Sequence, residues 1–243
     1  MRNAGKIAAA SRQVAGKMVT VGATTQSIEK RVREFILSQG AVPAFLGYNG
    51  FPANICVSVN EQVIHGIPSS RKLIQGDVVS IDIGATKDGF IGDCAATYVV
   101  GKGSAEAERL VEVTRECFYA GIKFARVGYR VSDISKEIQR YAEENGYSVV
   151  REYVGHGIGT KMHEPPEVPN YIETPRKKAD PRLLPGMTLA VEPMVNAGEA
   201  AIRILEDGWT VVTADGKNSA HYENTILITE GEPEILTICE GMP

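Results

Sequence analysis

Apolar positions along this chain change their period twice, in the same order. Ile28, Val32 and Phe35 fall at helical intervals and lead to Gly40, and 106 residues on Ile134, Ile138 and Tyr141 repeat the spacing and lead to Gly146. Each set predicts a helix closed by a glycine at the C′ position, with Thr25 and Ser132 as N-cap residues. Leu110, Val113, Cys117, Gly121 and Ala125 form the stripe of a longer helix, whose counterpart is the segment from Ile7 to Met18. The period then shortens. The run from Leu73 through Gly76 to Asp82 matches the run from Leu183 through Gly186 to Glu192, each ending in a carboxylate six residues after the turn glycine. Asp88-Gly89 between two β-rich runs predicts a hairpin whose returning strand reaches Val100, and the run from Glu223 to Thr229 does the same in the second half.

Each half therefore reads as helix, helix and antiparallel strands. No Ser/Gly linker or shift of composition separates them. The expectation is one α/β (α+β) domain over residues 1–243, with pseudo-twofold halves of about 1–103 and 104–243 and ligands converging where the halves meet.

Composition narrows the function classes. With 43% apolar residues among 243, the chain can bury a full core. A formal charge of −4 leaves no basic field for DNA. The longest apolar runs, Ile7–Ala10 and Cys117–Ala120, are far too short to span a bilayer. Arg2 and Lys6 before alanines resemble the start of a secretion signal, but Ser11-Arg12-Gln13 ends the run too early. Cys56, Cys94, Cys117 and Cys239 are scattered without a CxxC pair, which fits reduced thiols in a cytoplasmic protein.

The acids carry the chemistry. Asp82 alternates with Ile81 and Ile83, so on a strand it faces away from them. Asp93 lies across the hairpin, where the two carboxylates can sit side by side. One such pair is most simply read as solvent-facing, but the second half repeats the arrangement. Glu192 sits in an apolar run, and Glu223 begins the strand Thr225-Ile226-Leu227-Ile228. Four strand-borne acids at related places repel one another unless a positive centre compensates, and two divalent ions supply one.

The chain has four histidines, His65, His156, His163 and His221. His156 lies in Gly155-His156-Gly157-Ile158-Gly159, where glycines allow close backbone approach. Dinucleotide binding is excluded there, because Pro165, Pro166 and Pro169 prevent the helix that it requires. His221 reads as a structural neighbour able to orient Glu223.

These residues resemble the type I methionine aminopeptidases, of the pita-bread fold. The resemblance spans nearly the whole chain and rests on Val59-Asn60-Glu61 with His65-Gly66-Ile67-Pro68, Asp82-Ile83-Gly84, Gly155-His156-Gly157-Ile158-Gly159, Glu192-Pro193-Met194 and Glu223-Asn224-Thr225. It implies five metal ligands, Asp82, Asp93, His156, Glu192 and Glu223, with Asp93 and Glu223 bridging two divalent ions. It further implies that His65 and His163 are catalytic without being ligands, and that Tyr48, Phe51, Cys56, Met162 and Trp209 form the methionine pocket. Members often have Tyr where Phe51 stands and Phe where Met162 stands; both changes keep the wall apolar. The stretch between His163 and Glu192 has no room for the long insertion of the type II enzymes.

The implied reaction removes an N-terminal methionine ahead of a small second residue. The hydroxide bridging the metals attacks, Glu192 shuttles a proton, His163 stabilises the oxyanion and His65 contacts the scissile amide. Carboxylates with one imidazole favour Mn, Fe or Co over a thiolate-rich zinc site, and zinc stays among the candidates for the native ion. The implied partners are nascent polypeptide N-termini, met by a monomer in the cytoplasm, with a transient ribosome contact through Arg176-Lys177-Lys178 set against a solvated loop. Two rivals share the fold. A prolidase- or creatinase-like hydrolase usually carries an additional N-terminal domain, for which these residues leave no space. A metal-free peptide-binding relative would have lost ligands, and here all five stand.

Overall fold

The computed structural model describes residues 1–172 and 180–238; Arg176-Lys177-Lys178 and Cys239 lie outside the described residues. The expected helices form as two pairs: α1 (Arg2–Met18) with α2 (Thr25–Ser38), and α3 (Ala105–Ile122) with α4 (Val131–Glu144). Ile28, Val32 and Ile36 are the buried stripe of α2, and Ile134, Ile138 and Ala142 that of α4. Phe35 and Tyr141, one position earlier, are only half-buried. Burying one of these isoleucines contributes roughly 1.5–3 kcal/mol. Gly40 and Gly146 end the two helices with φ of 62° and 82°, as their C′ role requires. Gly121 lets α3 and α4 meet closely, since a Cβ there would come within 2.7 Å of Ile138.

The capping residues differ from expectation. Thr24, not Thr25, accepts the Ser27 amide of α2, while Thr25 ties the helix to Ser69. Ser132 lies inside α4, and both its amide and its hydroxyl donate to Asp180, which caps the helix from another segment. A cap supplied from a distant segment leaves no local sequence signal.

A nine-stranded antiparallel sheet joins the halves. Val78–Lys87 and Phe90–Val99 form the long hairpin, turned by Asp88 and Gly89 with φ of 52° and 77°. Phe90–Val99 pairs with Glu223–Leu227 of the second half, which pairs in turn with Thr188–Val191, and that strand with Gly155–Gly157. The duplication is present in the hydrogen bonds. Gly76 and Gly186, both left-handed, donate to Val100 and Ile228, while Leu73 and Leu183 donate to Ala23 and Tyr129. The helices cover one face of the sheet through the cores around Ile81 and Ile83 and around Leu189 and Ile226.

One expectation fails locally. Glu192 does not lie within a strand. Thr188–Val191 ends before it, and after Pro193 the chain enters a different, three-stranded sheet as Met194–Asn196. The same sheet change occurs at Tyr222, between Ser219–His221 and Glu223–Leu227. Proline cannot donate to a ladder, so the strand ends at the acid.

Candidate functional site

The face opposite the helices collects the acids. Asp82 pairs across the hairpin with Ala95, and Asp93 with Gly84, two positions away on the same face. Glu223 also pairs with Ala95, which brings it alongside. His156 pairs with Ala190 on the neighbouring strand, and Glu192 follows that strand's end. Ligand atoms of Asp93, His156 and Glu223 lie within 4.8 Å of one another. His156 Nε2 is 3.5 Å from Glu192 Oε1, and His221 Nε2 is 3.7 Å from Glu192 Oε2 and 3.9 Å from Glu223 Oε2. His221 thus stands nearer Glu192 than Glu223, beyond hydrogen-bond distance of both.

Burial makes the cluster costly as it stands. Asp82 Oδ1, Asp93 Oδ1 and Glu223 Oε1 are buried without a hydrogen-bond partner. Burial, and then the charge of Asp93, hold the Asp82 and Glu223 carboxyls well above the carboxylate range; Glu192 is raised by the same causes. Burial raises Asp93 to about 7. Burial, and then His163, depress His156 to about 4. Orphaned carboxylate oxygens beside an uncharged imidazole are the donor set of a hard or borderline divalent cation, so the residues present fit such an ion. His156 Nδ1 lies 2.9 Å from the Gly157 carbonyl, which can only accept, so the ring proton is on Nδ1 and Nε2 offers a lone pair.

Apolar walls rise above the acids. Tyr48, Phe51, Cys56, Met162 and Trp209 line the same cavity, of about 80 Å³, as the five metal-ligand candidates and His65 and His163. The Phe51 and Trp209 rings meet edge-on at 5.1 Å. Cys56 is placed by pairing its strand, Cys56–Val59, to Asp82. Trp209 stands on a turn where the Asp207 carboxylate accepts from the Trp209 and Thr210 amides and the Thr210 hydroxyl. His65 has φ of 59°, an uncommon conformation for a non-glycine residue, and its ring meets Tyr153 and Trp209. His163 lies with its ring centroid 4.2 Å from that of His156 and its Nδ1 2.6 Å from the Tyr48 hydroxyl.

Sequence reasoning missed Phe45, a buried wall residue in an irregular stretch. It also missed Asn170, whose amide holds the Glu192 carbonyl at 3.0 Å, and Arg12, whose guanidinium donates to the Glu223 and Ala95 carbonyls. Neither contact has a local signature. Cys56, Cys94 and Cys117 are buried and, among the described residues, form no disulfide.

The chain matches metallopeptidase family M24 over residues 1–230. It is 53% identical over 238 residues to the methionine aminopeptidase of Clostridium perfringens, covering 98% of this chain and 94% of that one. It is 52% identical over 237 residues to methionine aminopeptidase 1 of Bacillus subtilis, with the same coverage. The crystal structure of the Thermotoga maritima methionine aminopeptidase superposes with a TM-score of 0.93 at 44% identity, covering 98% of this chain and 94% of the other, so the pita-bread fold is shared. The prolidase of Pyrococcus furiosus shares the fold alone, at 23% identity and a TM-score of 0.79, with 98% of this chain matching 63% of that one.

Proposed function

We propose, of a chain that belongs to metallopeptidase family M24 and within it to the type I methionine aminopeptidases, that it releases the N-terminal methionine of nascent polypeptides whose second residue is small. The observation that carries this reading is the meeting, in one cavity, of a buried acid and histidine floor with an apolar wall. The family uses divalent metal, and the unpartnered oxygens of Asp82, Asp93 and Glu223 support a site for it here. In this reading Asp82, Asp93, His156, Glu192 and Glu223 would hold two divalent ions. Such ions, when bound, supply Lewis acidity and a water that ionises near neutral pH.

The chain's own groups do the rest. Tyr48, Phe51, Cys56, Met162 and Trp209, with Phe45, enclose the unbranched thioether side chain, which suits aromatic and sulfur walls. Glu192 takes a proton and passes it to the leaving amine. His163 donates to the oxygen on which negative charge develops, and His65 contacts the scissile amide. These two histidines crowd the leaving side, which restricts the second residue. The reaction takes place in the cytoplasm, and the chain acts as a monomer; among the described residues no helix is long and apolar enough to cross a membrane.

The test is kcat/KM for tripeptides that differ only in the first residue, with Mn, Fe or Co added in turn. Each methylene in the wall is worth about 1–3 kcal/mol of discrimination, so Met-Ala-Ser should far exceed Leu-Ala-Ser and Ala-Ala-Ser. Equal rates would assign the site to a broad aminopeptidase.

A further inference from the structure

We propose that Tyr48 is a positioning residue for His163: its hydroxyl keeps the single ring proton on Nε2, so that two adjacent imidazoles stand in opposite tautomers. The catalytic consequence rests on the reading above; the assignment itself rests on geometry. The Tyr48 hydroxyl lies 2.6 Å from His163 Nδ1. Among the described residues the phenol O–H meets no other acceptor, so the ring nitrogen is where its proton goes. The phenol therefore donates, and Nδ1 holds a lone pair. A neutral imidazole that accepts at Nδ1 carries its proton on Nε2. Among the described residues no other group hydrogen-bonds this ring, so the tyrosine decides its state.

His156 is the internal contrast. Its Nδ1 faces a carbonyl, which accepts and never donates, so the proton sits on Nδ1 and the lone pair on Nε2. The ring centroids are 4.2 Å apart. Partners of opposite character at the two Nδ1 atoms thus make one imidazole a cation ligand and its neighbour a hydrogen-bond donor. Tyr48 is itself held by a tight turn. Gly47 and Asn49 on either side have φ of 81° and 49°, and the Tyr48 amide donates to the Phe45 carbonyl. Its ring is at the same time part of the apolar wall. Recognition of the side chain and orientation of the oxyanion donor therefore share one residue.

The experiment is a long-range 1H–15N spectrum of the histidine rings in the zinc-loaded full chain, with His163 assigned by its loss in H163Q, for the parent and for Y48F. The parent should show His163 as the Nε2–H tautomer and His156 as the Nδ1–H tautomer. In Y48F, His163 should become a mixture. With Met-Ala-Ser, kcat should fall about tenfold, the effect of one lost hydrogen bond. KM should stay within about twofold because the phenyl wall remains. A parent His163 protonated on Nδ1 overturns the assignment without any variant. An unchanged tautomer and an unchanged kcat in Y48F overturn the positioning role. Because the spectrum needs no turnover, a parent inactive on methionyl peptides would sink the activity proposed above and still leave the tautomer decided.

Discussion

The two neighbouring histidines bear the sharpest test at the scale of single residues. His163→Ala should lower kcat by about 10²–10³, the usual cost of one lost oxyanion donor, while bound metal measured by mass spectrometry stays at the parent level. His156→Ala should lose metal instead, because its Nε2 lone pair faces the acids. A His163 variant that loses metal and turns over normally once reloaded would exchange the two roles. The acids and His156 were legible in the sequence through the repeated carboxylate in an apolar run and the histidine between glycines, whereas His163 entered only through the family resemblance. The Tyr48–His163 contact was not legible: the two are 115 residues apart in irregular segments, and no periodicity joins them. Phe45 escaped for the same reason.

Among the elements, the turn under Trp209 shows how a wall is held. Asp207 satisfies two amides and a hydroxyl there, so Asp207→Ala should cost the turn roughly 1 kcal/mol per hydrogen bond lost. KM for Met-Ala-Ser should rise severalfold with kcat nearly constant, since the acids and histidines are untouched; a fall in kcat at constant KM would place the turn in the chemistry instead. The helices, the hairpin turn and the left-handed glycines were readable because each is dictated by residues within one segment. The change of sheet at Glu192 was not read, although Pro193 signals it: a central strand does not tolerate a proline. The Asp180 cap of α4 was unreadable because it arrives from 48 residues away.

Over the whole molecule, burying the clustered acids without hydrogen-bond partners costs stability. Their folded pKa values are raised, that of Asp93 to about 7 and those of Asp82, Glu192 and Glu223 well above the ordinary carboxylate range. Between the unfolded and folded values the folded chain binds more protons, so stability is fully present at low pH and is lost as pH rises. Below pH 6.5 the depressed histidines oppose this, with His65 and His156 at about 4 and His221 at about 3, but they are already neutral above that point. The chelated protein should therefore lose stability as pH rises from 6.5 through the folded Asp93 value of about 7, by about 1.4 kcal/mol per pH unit for each carboxyl still protonated. The gain in Tm on adding Mn or Co should widen over the same range, since the ligands must shed their protons. A chelated Tm that holds or rises with pH would remove the acids from a shared buried site. The most direct measurement of the central claim is metal content against activity in one preparation. Exhaustive chelation should abolish release of methionine from Met-Ala-Ser, and stepwise return of Mn, Fe or Co should restore it, with Asp93→Ala and Glu223→Ala unable to recover. Full activity in a preparation that mass spectrometry shows to be free of metal would contradict the account.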